Sequence, residues 1–184
     1  MKKRIPNIIT ISRLALLPLL IFLLWNGNYV YGWYAAGILT IIGISDLLDG
    51  YFARRFDAVT NMGKIIDPTA DKLTVLISLL MLMHLNRINV FIPILILSRE
   101  LIIVTLRAVV ASEGIVIHAS TEGKRKAALQ MFGLGGLFIY GDFFGANAAY
   151  CGNVLLILSI ILSWYSAIKY LVSYISYCRK DSLL

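Results

Sequence analysis

Long apolar runs separated by short polar breaks organise this chain. Six runs are candidates for membrane-crossing helices, which need roughly 20 predominantly apolar residues. They cover about 14–26, 30–53, 67–85, 88–112, 126–144 and 150–176. Between them stand breaker residues: Trp25-Asn26-Gly27-Asn28, Asn86-Arg87, Ser112-Glu113-Gly114 and Gly145-Ala146-Asn147. No strand-like alternation competes with this pattern. Residues 5–13 read as a short interfacial helix leading into the first span. The expectation is an all-α polytopic membrane protein, one domain over 1–184, with six transmembrane helices behind a short N-terminal interfacial helix.

Composition strengthens that picture. Of 184 residues, 59% are hydrophobic and 15% charged, against about 45–50% and 25% in soluble domains. A chain this small has no interior large enough to hide the excess. The net charge of +7 suits anionic headgroups or phosphorylated substrates. Nothing resembles a soluble DNA-binding module, so no nucleic-acid partner is expected. With the N-terminus in the cytoplasm, twelve of the seventeen basic residues fall in cytoplasmic segments and only Arg87 in an opposite loop. The positive-inside rule therefore puts both termini in the cytoplasm. Arg13 interrupts the first apolar run and no small-residue cleavage site follows Leu24, so that segment reads as retained. Cys151 and Cys178 lie 27 positions apart on one expected helix, too far for a disulfide.

The acidic residues carry the chemistry. Asp46 and Asp49 lie late in the second run, Asp67 and Asp71 open the third, and Glu100 sits inside the fourth. Ionisable groups in a membrane are costly and usually mark function. Because the second and third spans run in opposite directions, both aspartate pairs reach one depth near the cytoplasmic interface. Asp46, Asp49 and Ala53 share a helix face, as do Gly63, Asp67 and Asp71. Pro68 leaves Asp67 either within the helix or as its N-cap. Four carboxylates at one depth need compensation, and two divalent cations supply it. The all-oxygen donor set suits Mg²⁺ or Mn²⁺, and paired cations suit displacement at phosphorus. The competing structural reading is a set of ion pairs with Arg54, Arg55, Lys64 and Lys72 that ties helices together.

Asp46-Leu-Leu-Asp49-Gly50-Tyr-Phe-Ala53-Arg54, followed by Gly63, Asp67 and Asp71, resembles the D-x2-D-G-x2-A-R-x8-G-x3-D-x3-D motif of the CDP-alcohol phosphotransferase family at all eight fixed positions. Chance agreement is on the order of 10⁻¹⁰ per start position at ordinary residue usage. Pro6-Asn7-Ile-Ile-Thr10-Ile-Ser-Arg13 and the six spans with both termini inside also agree with the family. The resemblance implies displacement of CMP from a CDP-linked lipid by an alcohol. Asp46, Asp49 and Asp67 would hold the metals, with Asp71 a further ligand or the acceptor of the alcohol proton. Asp49, Gly50, Ala53, Arg54, Thr60 and Gly63 would contact the nucleotide diphosphate.

The basic residues of the fourth and fifth spans bear on the alcohol. Arg99, Arg107, Lys124 and Lys126 would form a cationic pocket, which is wasted on a neutral alcohol but needed by one carrying phosphate. For Lys124-Arg125-Lys126 a plain positive-inside cluster is an equal reading. Ser98-Arg99-Glu100 through Arg107, Gly123 to Ala127, and Thr60 to Lys72 look like the corresponding regions of bacterial phosphatidylglycerophosphate synthases, apart from Thr69, where leucine is usual. The resemblance implies CDP-diacylglycerol and sn-glycerol 3-phosphate as substrates, surrounding membrane lipids, a homodimer and a bacterial inner membrane. Alternative acceptors are phosphatidylglycerol, as in a cardiolipin synthase, or an inositol phosphate. A divalent-cation transporter would need a polar route that the outer halves of spans two and three lack.

Overall fold

The computed structural model describes residues 5–56, 61–112, 121–143 and 145–181, with side chains described over 12–46, 69–112, 125–142, 145 and 147–176. Six α-helices are seen among them: α1 (Ile5–Leu24), α2 (Tyr29–Phe56), α3 (Asn61–His84), α4 (Phe91–Ser112), α5 (Thr121–Ile139) and α6 (Ala148–Asp181). The polar breaks supply the caps. Asn28 and Asn147 accept hydrogen bonds from the Val30 and Tyr150 amides through their Oδ1 atoms at 2.9 Å, satisfying first-turn donors of α2 and α6. At the end of α3, Asn86 takes a left-handed backbone (φ 55°). The Asn86 and Arg87 amides then donate to the Met83 and Leu82 carbonyls, the Schellman arrangement.

Three helices differ from the sequence expectation. Residues 5–13 form no separate interfacial helix, because α1 runs unbroken from Ile5 to Leu24. The chain has no glycine there, and Pro18 is accommodated within the helix. The third helix begins at Asn61 rather than Asp67, so Asp67 is not an N-cap and lies one helical turn from Asp71. The fifth begins at Thr121 and stops at Ile139. Tyr140 takes a left-handed backbone (φ 47°), and Asp142–Phe143 and Ala146–Asn147 pair as a two-residue antiparallel hairpin, β1 and β2.

Arg87 closes this end of the bundle. Its Nη1 donates to the Leu137 and Phe138 carbonyls (3.0 and 2.8 Å), and its Nη2 donates to the Gly27 carbonyl (3.0 Å). The Tyr140 ring lies 4.4 Å from its guanidinium carbon. The Leu137 and Phe138 carbonyls are at the C-terminal end of α5, where the helix itself leaves them unpaired, and that of Gly27 lies in the turn between α1 and α2.

Helix pairs α1–α2, α1–α3, α2–α5, α4–α6 and α5–α6 pack together around Leu20, Leu24, Leu39, Leu79, Leu82, Leu134, Phe138 and Leu156. Glycine permits the closest approaches: a Cβ on Gly32 would collide with the Phe138 carbonyl oxygen, and one on Gly136 would stand 2.8 Å from that of Ala148. The outside is more apolar than water tolerates, with Phe22, Phe91, Leu101, Phe132 and Ile161 all exposed. Exposed apolar side chains in such number mark contact with lipid or protein. Among the described residues, Ala148–Ser176 is the one stretch long and apolar enough to cross a membrane by itself. The α4 helix carries Arg99, Glu100 and Arg107 within a single span length.

Candidate functional site: a shared arginine between two aspartates

The interior of this apolar bundle holds charge at two neighbouring places. At the first, α1 places Arg13, α2 Asp46 and α3 Asp71. Arg13 Nη1 donates to Asp46 Oδ1 and to Asp71 Oδ1, both at 3.0 Å. The arginine is 1% exposed, while the two carboxylates are 45% and 48% exposed. The guanidinium is thus seated on the protein side, as a buried charge must be if it is to keep partners. The carboxylates open on the other side. Since one nitrogen reaches both, the two oxygens are no more than about 6 Å apart, which suits one oxygen on each of two cations about 3.5–4 Å apart. The donors are carboxylate oxygens, the type that Mg²⁺ and Mn²⁺ prefer.

Among the described residues, no group of three or more potential metal-ligating side chains comes together. The other members of the expected set lie outside the described side chains: Asp49, Gly50, Ala53, Arg54, Gly63, Asp67 and Lys124, with Thr60 outside the described backbone as well. The backbone nevertheless carries Asp46 and Asp49 on α2, and Asp67 and Asp71 on α3.

The second place lies where α4, α5 and α6 meet. Glu100 Oε1 accepts hydrogen bonds from Arg99 Nη1 (3.0 Å) and from Lys126 Nζ. Arg99 Nε donates to the Ser163 carbonyl on α6 (3.1 Å). Arg99 and Lys126 are both buried, so the acid neutralises part of their charge in place. Gln130, one turn beyond Lys126 on α5, is buried with an amide nitrogen that finds no partner among the described residues. Lys72, beside Asp71 on α3, is within charge–charge range of Lys126, so the two clusters are neighbours. Arg107, two turns from Glu100 on α4, is exposed. It stacks its guanidinium 5.9 Å from the Tyr170 ring centroid, and no carboxylate pairs with it among the described residues.

Sequence reasoning brought Asp46 and Asp71 to one depth but gave Arg13 and Glu100 no role. Their signal was present. Arg13 is the lone charge in the first apolar run, and Glu100 is the sole acid in the fourth.

Residues 3–170 match the family described as CDP-alcohol phosphatidyltransferase. Two relatives are similar along nearly their whole length, and both are named "CDP-diacylglycerol--glycerol-3-phosphate 3-phosphatidyltransferase". The protein of Rickettsia bellii is 32% identical over 181 residues, 97% of each chain. That of Haemophilus influenzae is 35% identical over 176 residues, 93% of each. A "Cardiolipin synthase (CMP-forming)" of Streptomyces coelicolor is 32% identical over 114 residues, 60% of this chain and 53% of that one.

Proposed function

Since the chain belongs to the CDP-alcohol phosphatidyltransferase family, we propose that it transfers the phosphatidyl group of CDP-diacylglycerol to sn-glycerol 3-phosphate, giving phosphatidylglycerophosphate and CMP. The observation that carries the choice of acceptor is the extent of likeness. Relatives named for glycerol 3-phosphate align over 97% and 93% of this chain, and the cardiolipin synthase over 60%.

In this reading Asp46, Asp49, Asp67 and Asp71 hold two divalent cations, Mg²⁺ or Mn²⁺. The shared-arginine geometry of Asp46 and Asp71 fits that role. When bound, the cations supply positive charge against the diphosphate and the departing CMP. The chain's own residues do the rest. Gly50, Ala53 and Gly63 leave room for nucleotide against α2 and α3, and Arg54 with Thr60 gives the diphosphate hydrogen-bond donors. Asp71, half-exposed, takes the proton of the acceptor hydroxyl as that oxygen bonds to the phosphatidyl phosphorus and the bond to CMP breaks. Arg107, without a carboxylate partner among the described residues, meets the acceptor's phosphate together with Lys124. Arg99 and Lys126, bridged by Glu100, add one net positive charge to the wall of that pocket. Orienting the two substrates supplies much of the acceleration.

The chemistry needs a lipid setting. The six helices are read as six spans with both termini in the cytoplasm, in a bacterial inner membrane and as a homodimer. The many exposed apolar side chains and the bias of basic residues in the sequence toward alternate connecting segments support this arrangement.

One assay tests the whole. Purified protein in detergent is given CDP-diacylglycerol, Mg²⁺ or Mn²⁺, and one acceptor at a time, and CMP release is followed. Release with glycerol 3-phosphate is expected. Release with phosphatidylglycerol or an inositol phosphate alone overturns the acceptor, and no release with any acceptor overturns the enzyme.

A further inference from the structure

Resting on the reading of glycerol 3-phosphate as the acceptor, we propose that Glu100 is a specificity-determining residue: its second carboxylate oxygen accepts a hydrogen bond from the acceptor's central hydroxyl, the one that does not react. Both cations that meet this acid fall on a single atom. Arg99 Nη1 and Lys126 Nζ donate to Oε1, and among the described residues Oε2 accepts nothing. Arg99 is anchored in turn by its Nε, which donates to the Ser163 carbonyl of α6 at 3.1 Å. The carboxylate is thus clamped at one oxygen by two buried cations, while the other stays free. Of the three side chains the acid is also the most open, 21% exposed against 8% for Arg99 and 11% for Lys126. Oε2 is not among the buried polar atoms left without a partner. An acid in a membrane-crossing helix opens onto protein or water rather than lipid, so this oxygen is available to a polar ligand.

Electrostatics points the same way. An acid beside a phosphate subsite weakens the pull on the phosphate. A glutamine could accept from Arg99 and Lys126 through its amide oxygen without that loss. What a carboxylate adds is a second accepting oxygen. Seven residues on, Arg107 lies on the same face of α4, two turns nearer the helix end at Ser112. Its charge and the free oxygen of Glu100 therefore bracket a short molecule with phosphate at one end and hydroxyls at the other. Glycerol 3-phosphate carries two hydroxyls. One bonds to phosphorus, and the central one, on the next carbon, is the donor left for Glu100. A site that hydrogen-bonds a substrate hydroxyl rejects an analogue lacking it. With a charged acceptor that is partly open, the discrimination is about 10–100-fold.

Competition tests this apart from the competitors' own reactivity. Purified protein in detergent, with CDP-diacylglycerol and Mg²⁺, forms labelled phosphatidylglycerophosphate from labelled glycerol 3-phosphate, and three unlabelled competitors are added in turn. They are glycerol 3-phosphate itself, 3-hydroxypropyl phosphate, which lacks the central hydroxyl, and dihydroxyacetone phosphate, whose central carbonyl only accepts. For equal inhibition, wild type should need about 10–100 times more 3-hydroxypropyl phosphate than glycerol 3-phosphate, and still more dihydroxyacetone phosphate. Glu100→Gln leaves its amide oxygen with Arg99 and Lys126 and turns an N–H toward the acceptor. In that variant glycerol 3-phosphate should lose its lead over 3-hydroxypropyl phosphate, and dihydroxyacetone phosphate should gain on both. A folded Glu100→Gln that keeps the wild-type order and spacing of competitors overturns the proposal and leaves Glu100 a structural tie. Should the variant fail to fold, wild type decides. Equal potency of 3-hydroxypropyl phosphate and glycerol 3-phosphate, or dihydroxyacetone phosphate as the better of the two analogues, overturns the idea; the order glycerol 3-phosphate, 3-hydroxypropyl phosphate, dihydroxyacetone phosphate upholds it. Labelled product beside either overturning result sinks this inference alone. No labelled product, with CMP released for another acceptor or for none, sinks the function it rests on and the inference with it.

Discussion

Two of the arginines that fasten this bundle, Arg87 and Arg13, have partners that differ in kind. Arg87, in the turn between α3 and α4, gives its hydrogen bonds to backbone carbonyls of Gly27, Leu137 and Phe138. Arg13, on α1, gives one nitrogen to the side chains of Asp46 and Asp71. Carbonyl groups at a helix end are unpaired in any sequence, so the Arg87 contact answers a need of the fold. A buried guanidinium tied to two half-exposed carboxylates answers no such need, since apolar residues in place of the buried charge would stabilise the fold as well or better. The first arginine therefore serves the fold, and the second holds together two carboxylates that the proposed reaction would use.

Four substitutions break or sharpen that contrast. Asp71→Asn should lower CMP release on the order of 10³-fold or more, the usual weight of a general base, with the helical circular-dichroism signal retained. A small loss would remove Asp71 from the proton path. Arg87→Ala leaves carbonyls unpaired and should lower stability by about 2–4 kcal/mol, seen as earlier thermal unfolding in detergent. The KM for glycerol 3-phosphate should stay as in wild type, and a raised KM without loss of stability would erase the distinction between the two arginines. Gly32→Ala forces a methyl against the Phe138 carbonyl and should cost about 1–3 kcal/mol by the same thermal measure. Arg107→Ala should raise the KM for glycerol 3-phosphate about tenfold with kcat less affected. An unchanged KM would take Arg107 out of the acceptor pocket.

The helices were legible because hydrophobic run length and asparagine caps are local signals. Their ends were less so. The stop of α5 at Ile139 depends on Arg87, some fifty residues earlier, taking up its last carbonyls, and no local pattern encodes that. Helical continuity through Asp67-Pro68 was equally hidden, because a proline reads alike at a first turn and inside a helix. Within the site, the meeting of Asp46 and Asp71 followed from spacing and opposite helix directions. The pairing of Glu100 with Lys126 joins α4 to α5 across 26 positions, and no spacing rule reaches that far. Lys126 was read as a cation for the acceptor, without its acidic partner, for the same reason. Arg13 was counted toward orientation, since a basic residue ahead of a first span ordinarily reports topology alone.

The Arg87 clasp also sets an order of events during synthesis. Gly27 and Arg87 are synthesised well before Leu137 and Phe138 exist. At about 5–20 residues per second the guanidinium waits on the order of 3–10 s for its last two partners. By the end of that interval four helices have been made with one end unfastened, and the fifth arrives as the piece that latches them. A nascent chain truncated just before Leu137 should therefore be far easier for a protease to cut in the Asn86–Arg87 turn than the finished protein.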